Sequence, residues 1–286
     1  MISTHSPLRF ARWLLTLVFL LHVSAAQGQT HELPYDLRVD MPVTVFAAAG
    51  WVGTEFLKGH FAQQDCAWCD RDPDGTDGLN GLDASVRSAL KWSDTGAANT
   101  ASNITGFAVM PLGALGIEAL AASHEDRLAD FPVDVLLIAE ATSIAAVLNQ
   151  VVKFSAGRER PFVHALPPEL KNRTADPSDN NTSFYSGHTN LVFALAVSSG
   201  TVATMRGYRW APWVWGGGLA VAATTGYLRI AADRHYFTDV LTGAVVGGAV
   251  GFAVPYLLHR PLGGKTPVLT AAPVPGGAAL AASYVW

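Results

Sequence analysis

Val240–Leu258 reads VLTGAVVGGAVGFAVPYLL and holds no charged residue. It has the length a bilayer core demands of a helix, roughly 17–25 residues. Gly243, Gly247 and Gly251 recur every fourth position, so on a helix they form one face. Small residues at that spacing let helix backbones approach closely, in a membrane or in a tightly packed soluble pair. Four more apolar segments precede it, near Ile104–Ala122, Phe131–Val152, Thr189–Met205 and Ala211–Leu228. The last two also lack charge. The first two contain Glu118, Asp134 and Glu140, and a charge within a span is costly and usually faces a bundle interior. Half of the 286 residues are apolar and only 15% are charged, below the roughly 25% usual for soluble domains. The expected fold class is therefore all-α: a helical bundle, polytopic in the membrane with about five to six spans. A soluble exported globule is the alternative. The net charge is −4 and no basic stripe runs along the chain, so nucleic acid is not an expected partner.

Arg9 and Arg12 precede the apolar run Trp13–Val23, and Ser24, Ala25 and Ala26 follow. Residues 1–29 thus read as a signal peptide or signal anchor. Residues 30–103 form an exported N-terminal segment, 104–260 the helical core and 261–286 a C-terminal extension, either a β-hairpin or a loose tail. Within the N-terminal segment Met41–Leu57 is apolar and reads as an interfacial or packed helix. Residues 63–80 are rich in Asp and Gly and read as an exposed loop rather than a calcium site, because the EF-hand spacing is missing. Cys66 and Cys69 lie in that loop. A structural disulfide is favoured over metal or redox chemistry, since no thioredoxin-like pattern surrounds them.

Counting spans from an exported N-terminus places residues 153–188 and 229–239 on one, non-cytoplasmic face. Arg206, Arg209 and Arg260 then fall on the cytoplasmic side, as the positive-inside tendency prefers.

Three polar clusters lie at the ends of the apolar segments. They are Lys153–Pro161 (KFSAGRERP), Ser183–Thr189 (SFYSGHT) and Arg229–Asp239 (RIAADRHYFTD). Lys153, Arg160 and Arg229 offer three cations, and arginine forks match phosphate oxygens bidentately. Ser186 and Gly187 stand just before a predicted helix start, where backbone amides favour an anion. His235 and Asp239 are four apart, so on a helix Asp239 is placed to hold one ring nitrogen and leave the other as a nucleophile. His188 is suited to protonate a leaving oxygen. Arg158 and Arg234 read as ordinary surface or supporting charges, and Asp233 as a loop residue.

Together these clusters resemble the signature of the type 2 phosphatidic acid phosphatase family, which shares its site with vanadium-dependent haloperoxidases. That signature runs Lys-x6-Arg-Pro, then Pro-Ser-Gly-His, then Ser-Arg-x5-His-x3-Asp. Tyr185 stands where the pattern has proline and Leu228 where it has serine. The resemblance covers about residues 104–258. It implies a phosphatase acting on a lipid phosphate monoester or pyrophosphate through a phosphohistidine intermediate. His235 would attack, Asp239 orient it and His188 protonate the leaving group. Lys153, Arg160, Arg229, Ser186 and Gly187 would bind the phosphoryl oxygens. No metal or cofactor is called for, because the cations supply the electrostatic stabilisation. The implied setting is the cell inner membrane with the site facing the periplasm. A soluble periplasmic acid phosphatase and a vanadate-dependent haloperoxidase are the alternatives.

Overall fold

The computed structural model describes residues 31–72, 74–261, 267–274 and 277–284. The signal-like residues 1–29 lie outside them. Eleven helices follow in order: α1 (Asp40–Phe56), α2 (Lys58–Phe61), α3 (Gly81–Leu90), α4 (Thr95–Ile104), α5 (Met110–His124), α6 (Phe131–Ala156), α7 (Pro161–His164), α8 (Pro168–Lys171), α9 (Gly187–Met205), α10 (Ala211–Ala231) and α11 (Phe237–Leu258). A π-helical turn at Thr105–Val109 joins α4 to α5. Beyond the helical body Pro267–Val274 and Gly277–Tyr284 pair as an antiparallel hairpin. The all-α expectation thus holds for the body, and the tail takes the hairpin alternative.

α9 is the central helix and packs against α5, α6, α10 and α11. The glycine face of α11 explains its close approach. A Cβ on Gly243 would come within 2.7 Å of the Ser186 carbonyl oxygen, and one on Gly251 within 2.5 Å of that of Ala194. A Cβ on Gly247 would run into the Asn190 carbonyl oxygen. Hydrophobic clusters fill the remaining helix contacts, such as Met110, Ala114, Val192, Ala196 and Ala222 between α5, α9 and α10.

Three helical stretches are long and apolar enough to cross a membrane: Thr95–His124, Leu128–Ala156 and Phe237–Leu258. All five apolar segments are helical, but α9 and α10 do not reach that standard. α9 gives its interior face to Thr189, Asn190, Ser198, Ser199 and Thr201, all buried. The outer faces are apolar: Phe107, Leu112, Leu120, Val151, Trp213, Val245 and Phe252 are exposed. α1 packs on α6 and turns Val45, Phe46 and Phe56 outward. An apolar belt of this kind marks a surface made for contact with something other than water.

Cys66 and Cys69 are joined in a disulfide. The loop that carries them is tied to the body by backbone bonds from Ala67 N–H to the Gly157 carbonyl (3.0 Å) and from Glu159 N–H to the Trp68 carbonyl (3.0 Å).

Candidate active site

Each polar cluster occupies a helix end, and the ends converge. Lys153 sits in the last turn of α6, which Gly157 closes at φ +56°. Left-handed φ suits glycine, and here a side chain would also strike Gln63. Past this break the chain runs extended through Arg160, and Pro161 opens α7. Gly187 and His188 begin α9. Arg229 lies in the last turn of α10, and His235 lies in the short link to α11. Lys153, Arg160, Gly187, His188, Arg229 and His235 line one cavity of about 340 Å³.

His235 is buried. Its Nδ1 lies 2.8 Å from the Ser183 carbonyl oxygen. A carbonyl only accepts, so Nδ1 carries the proton. Nε2 lies 3.1 Å from Arg160 NH1, which only donates. Nε2 therefore holds the lone pair and accepts from Arg160, and both residues line the cavity. Burial first, then the charges of Arg160, Arg229 and Lys153, push the imidazole pKa well below its ordinary value. The ring is neutral at pH 7, with Nε2 as its unprotonated nitrogen.

Asp239 does not meet His235 as the four-residue spacing suggests. Its Oδ2 is 3.9 Å from Nδ1, too far for a hydrogen bond. Oδ2 accepts instead from Ser183 Oγ (2.6 Å) and Tyr236 N–H (2.9 Å), and Oδ1 from Arg158 NH1 (2.6 Å). His235 precedes α11 in an extended link, so helical periodicity does not apply to the pair. Asp239 is linked to His235 through Ser183, whose carbonyl is the direct acceptor.

Ser186 is also redirected. It is the N-cap of α9, its hydroxyl bonds that of Thr189 (2.9 Å), and it does not line the cavity. Gly187 does reach it. A Cβ there would come within 2.9 Å of Asn149 Oδ1 and 3.4 Å of Lys153 Nζ. Asn149 holds this loop through the Tyr185 carbonyl (2.8 Å), at the position where the family signature has proline. Leu228, where it has serine, is buried.

The remaining cations differ in how they are held. Arg160 spends its fork on the Asp179 carbonyl (2.8 Å) and Oδ1 (2.9 Å), Thr182, the Arg234 carbonyl and His235. Arg229 donates from NH1 to Asn99 Oδ1 and Ser102 Oγ, both at 2.9 Å. Its buried Nε–H has no acceptor among the described residues. His188 Nε2 is 2.8 Å from Asn103 Oδ1, and the ring stands edge-on to Phe107.

Three residues that read as ordinary in the sequence are central here. Arg158 is wholly buried. Arg234 lines the cavity and joins Lys58 and Arg160 on Asp179. Burial alone would push the Asp179 carboxyl up, but Arg160, Lys58 and Arg234 hold it far below its ordinary range. Asp233 is a loop residue, as expected, but a buried one, fixed by Arg87 (2.6 Å) and Lys91 (2.9 Å). None lies on a regular face of a long helix, so no periodicity announced them.

The sequence model of the PAP2 superfamily matches residues 134–261. A lipid A 1-phosphatase of Porphyromonas gingivalis is 33% identical over 130 residues, 44% of this chain and 25% of that protein. An undecaprenyl-diphosphatase of Sulfolobus acidocaldarius is 31% identical over 109 residues, 38% of this chain and 48% of that protein. The chain thus spans between a quarter and a half of the length of these curated relatives. The crystal structure of a transmembrane PAP2-type phosphatidylglycerolphosphate phosphatase from Bacillus subtilis aligns at a TM-score of 0.45 and 15% identity, over 76% of this chain and 94% of that one. The matched residues 134–261 include each of the three polar clusters that converge on the cavity, so over that span the chain is similar to the PAP2 superfamily.

Proposed function

We propose that this protein is a phosphatase that hydrolyses a lipid phosphate monoester or pyrophosphate through a phosphohistidine. The carrying observation is the state of His235: neutral, with the unprotonated Nε2 beside Arg160 at a cavity lined also by Lys153 and Arg229. A phosphoryl group fits that charge distribution, since its oxygens take the cations while phosphorus faces Nε2. In the first step Nε2 bonds to phosphorus, the bond to the leaving oxygen breaks, and His188 gives that oxygen a proton. In the second step water attacks phosphorus, His188 takes back a proton, and the N–P bond breaks to release phosphate. Asn103 Oδ1 accepts from His188 Nε2–H, so Nδ1 is the atom that exchanges the transferred proton, given from the imidazolium in the first step and taken by the neutral ring in the second.

A lipid substrate is supported by the apolar belt around the bundle, by the three stretches of membrane-spanning character and by the substrates named for the two relatives. We place the protein in the inner membrane with the cavity toward the periplasm, and α9 and α10 as further spans, α9 shielded by its neighbours. The deciding experiment is phosphate release from a panel of lipid and soluble phosphates by detergent-purified protein. Turnover confined to soluble esters, or none at all, would overturn the reading. Orientation is tested by cysteines at Ala175 and Arg209, both exposed. An impermeant maleimide applied to outer-permeabilised cells is expected to label the first and spare the second.

A further inference from the structure

Arg158 lies between Lys153 and Arg160 in sequence but points away from the cavity. Its guanidinium is sandwiched between the rings of Trp68 (4.2 Å to the centroid) and Tyr236 (4.3 Å). All its edges are used. Nε donates to Asp70 Oδ2 (2.8 Å), NH2 to Asp83 Oδ2 (2.9 Å), and NH1 to Asp239 Oδ1 (2.6 Å) and Thr238 Oγ1 (2.8 Å). Asp83, on α3, also accepts from the Thr238 N–H (2.9 Å) and hydroxyl (2.7 Å), so it caps the first turn of α11 from another part of the chain.

We propose that Arg158 is a positioning residue for the nucleophile, and that through it residues 66–83, outside the matched span 134–261, are a working part of the active site. The chain of contacts is continuous. Asp70 and Asp83 hold the guanidinium, which holds Asp239. Asp239 Oδ2 holds the Ser183 hydroxyl, and the Ser183 carbonyl holds His235 Nδ1. A buried carboxylate stripped of its cation is a strongly unfavourable arrangement, so losing Arg158 forces Asp239 and the first turn of α11 to readjust. The cost falls on the aim of Nε2. The phosphate cations are untouched, because Arg158 contacts none of the side chains that face the cavity. The disulfide loop contributes by seating Trp68 on the outer face of the guanidinium.

The turnover part of the test rests on the phosphatase reading, and the binding part does not. Vanadate would bond to the unprotonated Nε2 of His235 as well as contacting the cations, whereas inorganic phosphate needs only the cations. Arg158→Met is expected to lower kcat and weaken vanadate binding by about 10- to 100-fold, the usual loss when a supporting hydrogen-bond partner is removed. Phosphate affinity and KM are expected to stay within about twofold of wild type, since binding shared by ground and transition states is retained. Asp83→Asn, a milder change, is expected to show the same split in smaller degree, and serves if Arg158→Met does not fold. Arg158→Lys is expected to rescue little, because a point charge cannot replace the fork. Equal loss of vanadate and phosphate binding would mark Arg158 as a purely structural residue and overturn the proposal. So would unchanged vanadate affinity. If wild-type protein released no phosphate, the phosphatase reading would fall, while the vanadate–phosphate split would still decide the role of Arg158.

Discussion

Arg206 and Arg229 are equally buried, each 3% exposed, beyond opposite ends of the central helix, and they are held in opposite ways. Arg206 donates from Nε to Asp134 Oδ1 (2.6 Å), and Tyr208 completes that carboxylate (2.8 Å). Its remaining contacts go to the His31 carbonyl and Asp130. Arg229 meets only the neutral Asn99 and Ser102, and makes no ion pair among the described residues. A buried ion without a counter-ion is unfavourable by several kcal/mol. At Arg206 the fold cancels that cost within itself. At Arg229 no counter-ion among the described residues does so, and on the proposed reading an anionic substrate would offset the cost. Charge imbalance, more than buried charge, separates a site from a structural pair.

The sharpest way to break this comparison begins at the atom the cations surround. His235→Ala is expected to lower turnover by about 10⁴-fold or more, as removal of a nucleophile does elsewhere, with the protein still folded. Near-normal phosphate release from the folded variant would remove His235 from the mechanism.

Next come the two arginines. Arg229→Met is expected to lower kcat/KM by about 10²- to 10³-fold, the scale of one lost oxyanion donor, without loss of thermal stability. Arg206→Met is expected to leave the kcat of the folded fraction unchanged while costing about 3–5 kcal/mol of stability, because it strands Asp134. If both variants lose activity alike, or both lose stability alike, the distinction between the two ends fails.

A smaller effect comes from ligands. Vanadate is expected to inhibit competitively and, at about 100 times its Kd, to stabilise the wild type by about 2.7 kcal/mol. That gain should vanish in Arg229→Met and persist in Arg206→Met. Turnover is expected to survive EDTA, and a strict magnesium requirement would contradict the cation-only account.

The smallest expected effect is on pH dependence. Burial and the nearby cations depress the folded-state pKa of His235, so the unfolded chain takes up the proton first. The associated stability is therefore present above the unfolded value, about 6.5, and is lost as pH falls, by at most about 1.4 kcal/mol per unit. Between pH 7 and pH 5 wild type should lose more stability than His235→Ala. For the same reason the acid limb of kcat/KM should lie below pH 6.5. A limb well above that value would mean that His235 is charged in the free enzyme.

Much of the fold and of the cavity was legible in the linear order of residues. The glycine face of α11 follows from a fixed helical repeat. The spacings Lys153 to Arg160 and Arg229 to His235 specify which groups are available, and helix ends are where the backbone leaves polar groups unpaired. These are local properties, set by periodicity and chemistry along the chain. The direction of each side chain was settled by packing. Past Gly157 the chain is extended and irregular, so nothing in the spacing of Lys153, Arg158 and Arg160 tells which cation faces the cavity and which is buried behind it. Ser186 and Gly187 are neighbours, yet the cap geometry turns one inward and leaves the other on the wall. His235 donates its hydrogen bond to a carbonyl 52 residues earlier, and Arg158 finds Asp70 and Asp83 in a segment 75–88 residues away. Such partners are brought together only when α9, α10 and α11 close against one another. The sequence by itself determined the reactive groups and the helices that carry them, and the tertiary structure alone decided which of those groups touch, because a contact across the bundle has no local signature.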